Sequence, residues 1–215
     1  MTNTNNKIYC FLGLPGSGKG TQIEILSKKL NASVISIGEE IREELESADF
    51  NDPFYKTMKS LYDQGVPQPD EVVIDIVKKR LQRINNHIIF DNFPFSHNQA
   101  DLFFSICKEL NVSFPELIVI DITPETSIRR IVYRKVCADC SHISSDTDVE
   151  ICEKCGGAMV TRADDNEETV KERIKNYLPR IKEVENYFSN FGQVYIIDGN
   201  GTIEEVANLV QEKIK

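Results

Sequence analysis

The sequence predicts an α/β fold built on a doubly wound parallel sheet, and three observations predict it. Short apolar runs alternate with helical patterns along most of the chain. A glycine-rich turn joins the first apolar run to the first helical pattern. Two stretches break the alternation and read as insertions that close over one site.

The first run, Lys7 to Leu12, is apolar and ended by glycines, and Lys19 to Leu30 then carries Ile23, Leu26 and Leu30 at helical spacing. Val34 to Ile37, Ile88 to Phe90, Leu117 to Ile122 and Val194 to Ile197 read as buried parallel strands, because such strands are apolar on both faces. Helical patterns fall between them at Pro69 to Arg83, Asn98 to Leu110, Pro124 to Val136, Glu167 to Phe188 with Pro179 inside, and Thr202 to Ile214. Strands separated in this way are joined by crossovers and lie parallel. Gly38 to Gly65 instead reads as helices with no strand, and Cys137 to about Thr161 is polar, glycine-bearing and cysteine-rich. The predicted division is a core of 1–35, 66–136 and 163–215, a helical subdomain at 36–65 and a lid at 137–162. The polar Asn/Thr-rich start of the chain cannot support packing and is expected to fray.

At 215 residues a single core suffices, and the 40% hydrophobic share is enough to fill it. There is no run of ~18 apolar residues, which excludes a membrane-spanning helix. The N-terminus has neither a secretion-signal core nor Arg-rich amphipathicity, so a soluble, cytoplasmic protein is expected. Thirty-four acidic against 25 basic residues give a net charge of -9, which opposes nucleic acid and anionic membranes as partners. Any anion site must therefore be local.

Gly13-Leu-Pro15-Gly16-Ser17-Gly18-Lys19 matches G-x-x-x-x-G-K, directly after a strand and before a helix, the context that a phosphate-binding P-loop requires. Its glycines permit a turn whose N–H groups face inward, and the helix adds the positive end of its dipole. Lys19 can reach phosphate oxygens. The Ser/Thr that usually follows the lysine is Gly20 here, with Thr21 one place later.

Four of the six cysteines form two knuckles, Cys137-Ala-Asp-Cys140 and Cys152-Glu-Lys-Cys155, eleven residues apart. That spacing supports tetrahedral Cys₄ zinc, a closed and hence structural site that folds a segment too small for a core of its own. His142, beside the first knuckle, reads as a solvated loop residue or as a substitute ligand. Cys10 and Cys107 read as small buried apolar residues. Zinc ribbons can bind nucleic acid, but Ser141 to Ile151 carries Asp146, Asp148 and Glu150 with no Lys or Arg.

Gly13 to Gln22, with Gly20 and Thr21 after the lysine, resembles the loop of the adenylate kinase family. The resemblance continues through Ile88-Ile-Phe-Asp91-Asn-Phe-Pro94, Arg130-Ile-Val-Tyr-Arg134 and Arg162-Ala-Asp164-Asp165 to Arg173, and covers nearly the whole chain. It implies a P-loop kinase that transfers the γ-phosphoryl group of MgATP to AMP, with 36–65 as the monophosphate-binding subdomain and a structural zinc ion in the lid. It implies ATP binding at Gly13, Pro15, Gly16, Ser17, Gly18, Lys19, Gly20, Thr21, Arg130 and Arg134. Catalysis would rest on Lys19, Arg130, Arg134, Arg162 and Arg173, with Asp91 holding Mg²⁺ through water. Arginine suits this task because its fork grips phosphate oxygens bidentately and stays charged. Asp164 and Asp165 read equally as orienting groups for arginines or metal-bound water and as acids at a helix start. A monomer is expected.

The resemblance implies AMP contacts at Ile37, Arg42, Gln68, Phe95, Gln99, Arg162 and Arg173, and there the chain departs from the pattern. Ile37 stands where the family has threonine, Pro67-Gln68 where it has Leu-Val, and Asn92 where it has glycine. Phe95 replaces the arginine that clamps the acceptor phosphate, while Arg42 and the base-reading Gln99 are kept. Losing one such donor typically costs on the order of 10²- to 10³-fold in rate. His97, Lys56 and Lys59 are the candidate replacements. The alternatives are a kinase for another monophosphate, or a nucleotide-binding sensor with little transfer.

Overall fold

The computed structural model describes residues 6–64, 66–140, 142–144, 146–162 and 165–214. The expectations for the N-terminal tail before Asn6, for Gly65 and for Asp164 concern residues outside that set.

Five strands form one parallel sheet: β1 (Ile8–Gly13), β2 (Ser33–Ser36), β3 (Ile88–Asp91), β4 (Glu116–Asp121) and, near the C-terminus, Gln193–Asp198, in the spatial order β2-β3-β1-β4 and then that last strand. The helices between them are α1 (Lys19–Leu30), α2 (Ile37–Glu46), α3 (Pro53–Asp63), α4 (Asp70–Arg83), α5 (His97–Leu110) and α6 (Pro124–Val132). Three short strands follow, β5 (Lys135–Cys137), β6 (Ile143–Ser144) and β7 (Met159–Val160), and then α7 (Glu167–Phe191). The last strand of the main sheet is thus β8, and α8 (Ile203–Lys213) closes the chain. Among the described residues no helix is long and apolar enough to cross a membrane.

Alternation along β1 builds both layers of the core, since successive side chains of a strand point to opposite faces. Ile8, Cys10 and Leu12 face α4, α5 and α7 and pack with Phe90, Phe93, Phe103 and Phe188. Tyr9 and Phe11 face α1 and α8 and pack with Ile23, Leu26, Val206 and Val210. Cys10 and Cys107 are both fully buried, as expected of apolar-like thiols. Burial drives the Cys10 thiol well above its ordinary value and the Cys107 thiol up to about 12, so both stay protonated.

The sheet differs from expectation at its edges. Val34 in β2 is 45% exposed and Ile196 in β8 is 53% exposed. Each edge strand has a neighbour on one side alone, so runs that look uniformly buried in sequence are half covered here. The helical pattern Pro124 to Val136 also breaks early. The chain leaves α6 at Tyr133, and Val136 instead pairs with Ile143 and Val160 in an antiparallel sheet ordered β6-β5-β7. Strand pairing at the first knuckle thus overrides the helical period. Among the described residues of 38–64 there is helix and no strand, the rest of α2 after Ile37 and the whole of α3, as predicted, and Ile41, Leu45 and Met58 form a small core with Ile76 of α4.

Phe103 is fully buried, with Phe90 and Phe93 ring centroids 5.2 and 5.0 Å away. Phe103→Ala is expected to destabilise the fold by about 3–5 kcal/mol, from lost burial plus the cavity left behind. Urea unfolding at 25 °C with an unchanged slope is the measurement that checks it.

Candidate active site

In a parallel sheet every strand delivers its C-terminal end to the same rim, and in an open α/β sheet the ligand crevice lies there. The loop 13–19 rises from β1 at that rim. Gly13 tolerates no side chain, because a Cβ would lie 2.6 Å from Ser17 Oγ and 2.7 Å from the Ile120 carbonyl oxygen. Gly18, at φ 87°, caps α1 in the left-handed region that glycine enters without steric cost. The loop is pinned from both sides. Ser17 N–H donates to the Leu14 carbonyl at 3.0 Å, and Ser127 Oγ donates to the Pro15 carbonyl at 2.6 Å. Gly18, Gly20 and Thr21 stay exposed, and the space where a Cβ would stand on Gly18 or Gly20 is open. Ser17 Oγ and Asn92 Oδ1 are buried at this rim without a hydrogen-bond partner among the described residues. Buried polar atoms are rarely left so, and those that are point to water or a ligand.

Lys19, the first residue of α1, puts Nζ 2.9 Å from Asp91 Oδ1. Asp91 ends β3, the neighbour of the strand from which the loop springs: Phe11 of β1 is paired with Asp91, and Asn92 N–H donates to the Phe11 carbonyl. Arg130 on α6 donates to the Gly16 carbonyl at 3.4 Å and the Gly199 carbonyl at 2.9 Å, so its guanidinium lies against the loop. Arg134 is held by both oxygens of Asp165, at 2.6 and 2.8 Å. The Asp165 side chain is wholly buried, and Asn166, not an aspartate, caps α7. Of the two readings of the acidic pair, the structure thus selects the orienting one for Asp165. Arg162 is exposed at the end of the lid, its carbonyl accepting from Asp165 N–H, and Arg173 is half-buried on α7.

On the other flank, β2 ends at Ser36 beside Asp91, and Ile37 opens α2 against the main core. Arg42 is exposed, with Glu39 3.9 Å away. Gln68 is buried, its Nε2 donating to the Met58 carbonyl, and its Oε1 has no partner among the described residues. The Gln99 amide is engaged at both ends, accepting from Phe95 N–H and donating to Asp70 Oδ1, each at 2.8 Å. Phe95 packs edge-on against Tyr177 at 4.6 Å. Of the cations named as replacements for it, Lys59 pairs with Asp63, the His97 ring meets Tyr187 edge-on, and Lys56 is exposed on α3. Sequence reasoning missed Arg180, whose guanidinium carbon stands 5.2 Å from the Phe95 ring centroid.

Beyond the rim, Cys137, Cys140, Cys152 and Cys155 gather, with their Sγ atoms all within 4.8 Å of one another. Neighbouring Sγ atoms are 3.3 to 3.6 Å apart, near the ~3.8 Å that four Zn–S bonds of ~2.3 Å impose. Four thiols in this arrangement can hold one metal ion. His142 stands outside the cluster, 3.1 Å from Glu153. Lys154, on the second knuckle, lies 3.6 Å from Glu24, so the lid rests beside α1.

The fold and the rim are those of a P-loop α/β protein carrying a four-thiol lid. The family model for adenylate kinase matches residues 11–193. The chain is 36% identical over 215 residues to an adenylate kinase of Archaeoglobus fulgidus, covering 95% of this chain and 98% of that one. It is 33% identical over 210 residues to one of Ruminiclostridium cellulolyticum, covering 94% and 97%. A third, from Alkaliphilus oremlandii, is 36% identical over 207 residues, covering 93% and 94%. The chain belongs to the adenylate kinase family.

Asp165→Ala leaves the Arg134 charge, 13% exposed, without its partner. Removing one member of a buried ion pair typically costs about 3–5 kcal/mol. A lowered unfolding midpoint in urea is expected, and an unchanged one would contradict the pairing.

Proposed function

We propose that the chain transfers the γ-phosphoryl group of MgATP to AMP, giving two ADP. The observation that carries this reading is the meeting of Lys19, at the start of α1, with Asp91, at the end of β3, 2.9 Å apart beside a loop whose Gly18 and Gly20 face open space.

Phosphoryl transfer asks little covalent chemistry of a protein and much positioning and charge neutralisation. In this reading Gly13, Pro15, Gly16, Ser17, Gly18, Gly20 and Thr21 cradle the ATP phosphates with N–H groups at the start of α1. Lys19 turns from Asp91 to the β and γ oxygens. Arg130 already lies against the loop, and Arg134 is oriented by Asp165, so neither needs reorganisation to meet developing charge. Arg162 and Arg173 reach the transferred group from the lid side. The Asp91 carboxylate, 32% exposed on the crevice, suits a Mg²⁺ ion bound through water, which would neutralise phosphate charge. On the acceptor side Ile37, Arg42, Gln68, Phe95 and Gln99 line the AMP site. Residues 36–65 form the monophosphate subdomain, 137–162 the lid and the rest the core.

The four thiols suit zinc, which would replace the core that so small a sheet lacks, leaving no open position for chemistry. Reduced thiols support a cytoplasmic location. In this reading the enzyme acts as a monomer.

ADP formation from MgATP with AMP, GMP, CMP, UMP and dTMP offered separately tests the assignment. Turnover with AMP well above the others is expected. Preference for another monophosphate would mean a rebuilt acceptor pocket, which the departures at Ile37, Gln68 and Phe95 make the specific competing reading. Lys19→Ala is expected to cut turnover at least ~100-fold with the melting temperature little changed, consistent with loss of a charged donor. Chelation of the lid metal is expected to lower the melting temperature, and a melt indifferent to metal would remove the structural role.

A further inference from the structure

The proposed reaction leaves one gap. Phe95 stands beside Gln99 on the acceptor flank, four residues beyond Asp91, and an aromatic ring cannot hold a phosphate. The chain carries many more acids than bases, so a dianionic acceptor there needs a cation supplied on purpose.

The nearby cations are mostly committed. Lys59 is bound to Asp63, Lys79 to Glu44, and Arg80 to Glu40 and Glu43. Lys56 is two positions from Met58, the buried residue of α3, and a helix turns about 200° over two residues, so Lys56 faces away from the subdomain interior. Arg42 remains on this flank, exposed and with Glu39 3.9 Å away.

Arg180 differs from all of these. Its guanidinium lies over the Phe95 ring, 5.2 Å from the centroid, and among the described residues it makes no ion pair. Tyr177, three residues earlier on α7, holds the other contact with that ring at 4.6 Å and 63°. Arg173, Tyr177 and Arg180 are spaced i, i+4, i+7 and form one stripe on α7. Helical side chains lean toward the N-terminus, so Arg180 leans back along the stripe toward Arg173. The ring that stands in place of a cation at position 95 is therefore the surface over which another cation lies.

We propose that Arg180, stacked on Phe95, is the cation that binds the phosphate of the nucleoside monophosphate acceptor, in the place of a side-chain charge at position 95. The proposal rests on the kinase reading above and adds to it a residue and a geometry. Phe95 becomes a platform that orients Arg180, and α7 contributes to both phosphate-bearing halves of the site.

The test compares wild type, Arg180→Met, Arg180→Lys, Phe95→Arg and the double variant Phe95→Arg/Arg180→Met under steady-state turnover, with AMP and MgATP varied in turn. Arg180→Met keeps the apolar stem and removes the charge. It is expected to raise KM for AMP about tenfold to a hundredfold, the weight of one charged hydrogen-bonding group, with KM for MgATP within about twofold of wild type. Arg180→Lys should fall between the two. The double variant should recover most of the lost affinity for AMP, which a merely structural role for Arg180 would not predict. An unchanged KM for AMP in Arg180→Met, with wild type active and Lys19→Ala inactive, overturns this assignment and leaves the kinase reading standing. A wild type inactive on every monophosphate overturns both.

Discussion

The position of β1 between β3 and β4, parallel to both, is the constraint on which the rest of the molecule depends. It brings Asp91 beside the end of Phe11, and brings the Ile120 carbonyl so close to Gly13 that no larger residue fits. The loop that follows is therefore built on a rigid floor. Its shape is set by sheet packing below and by α6 at the side, where Ser127 and Arg130 donate to loop carbonyls. Catalytic geometry of this kind has to be fixed before substrate arrives, because reorganisation during the reaction would cost what positioning gains.

Charge is the second organising feature. A protein with net charge -9 repels phosphates at long range, so its cations have to be concentrated where a phosphate is to bind. Arg130 is held by carbonyl oxygens, which leave its full charge available. Arg134 is held by the buried Asp165, which trades part of that charge for orientation. Arg180 rests on an aromatic face, the weakest of these supports and the one least able to neutralise it. The three arginines are thus held by three different kinds of support.

The lid solves a problem of size. β5, β6 and β7 together hold few apolar side chains, and its small cluster is made of Cys137, Cys152 and Met159. Four converging thiols can replace a hydrophobic core with coordination of one metal ion, which would stiffen the segment whatever its sequence between the knuckles. The ion pair of Lys154 with Glu24 on α1 is between half-exposed groups and contributes little to holding the lid in place. A lid rigid within itself and weakly attached suits opening and closing as one body.

What could be read without coordinates was whatever is encoded by neighbours in sequence. Gly13 to Lys19 carries its loop conformation in its own glycines. The two Cys-x-x-Cys knuckles carry their ligand spacing, and the alternation of apolar runs with helical periods carries the parallel sheet. What tertiary structure alone decided were meetings between distant residues: Asp165 with Arg134, 31 positions apart, and Arg180 with Phe95. It also set which strands became edges and where α6 gave way to β5. The physical reason is the same in each case. Local propensity and spacing fix the conformation of a segment, but the partner of a side chain depends on how segments pack, and a phenylalanine in place of an arginine reads as a loss until the arginine from another helix is seen lying on it.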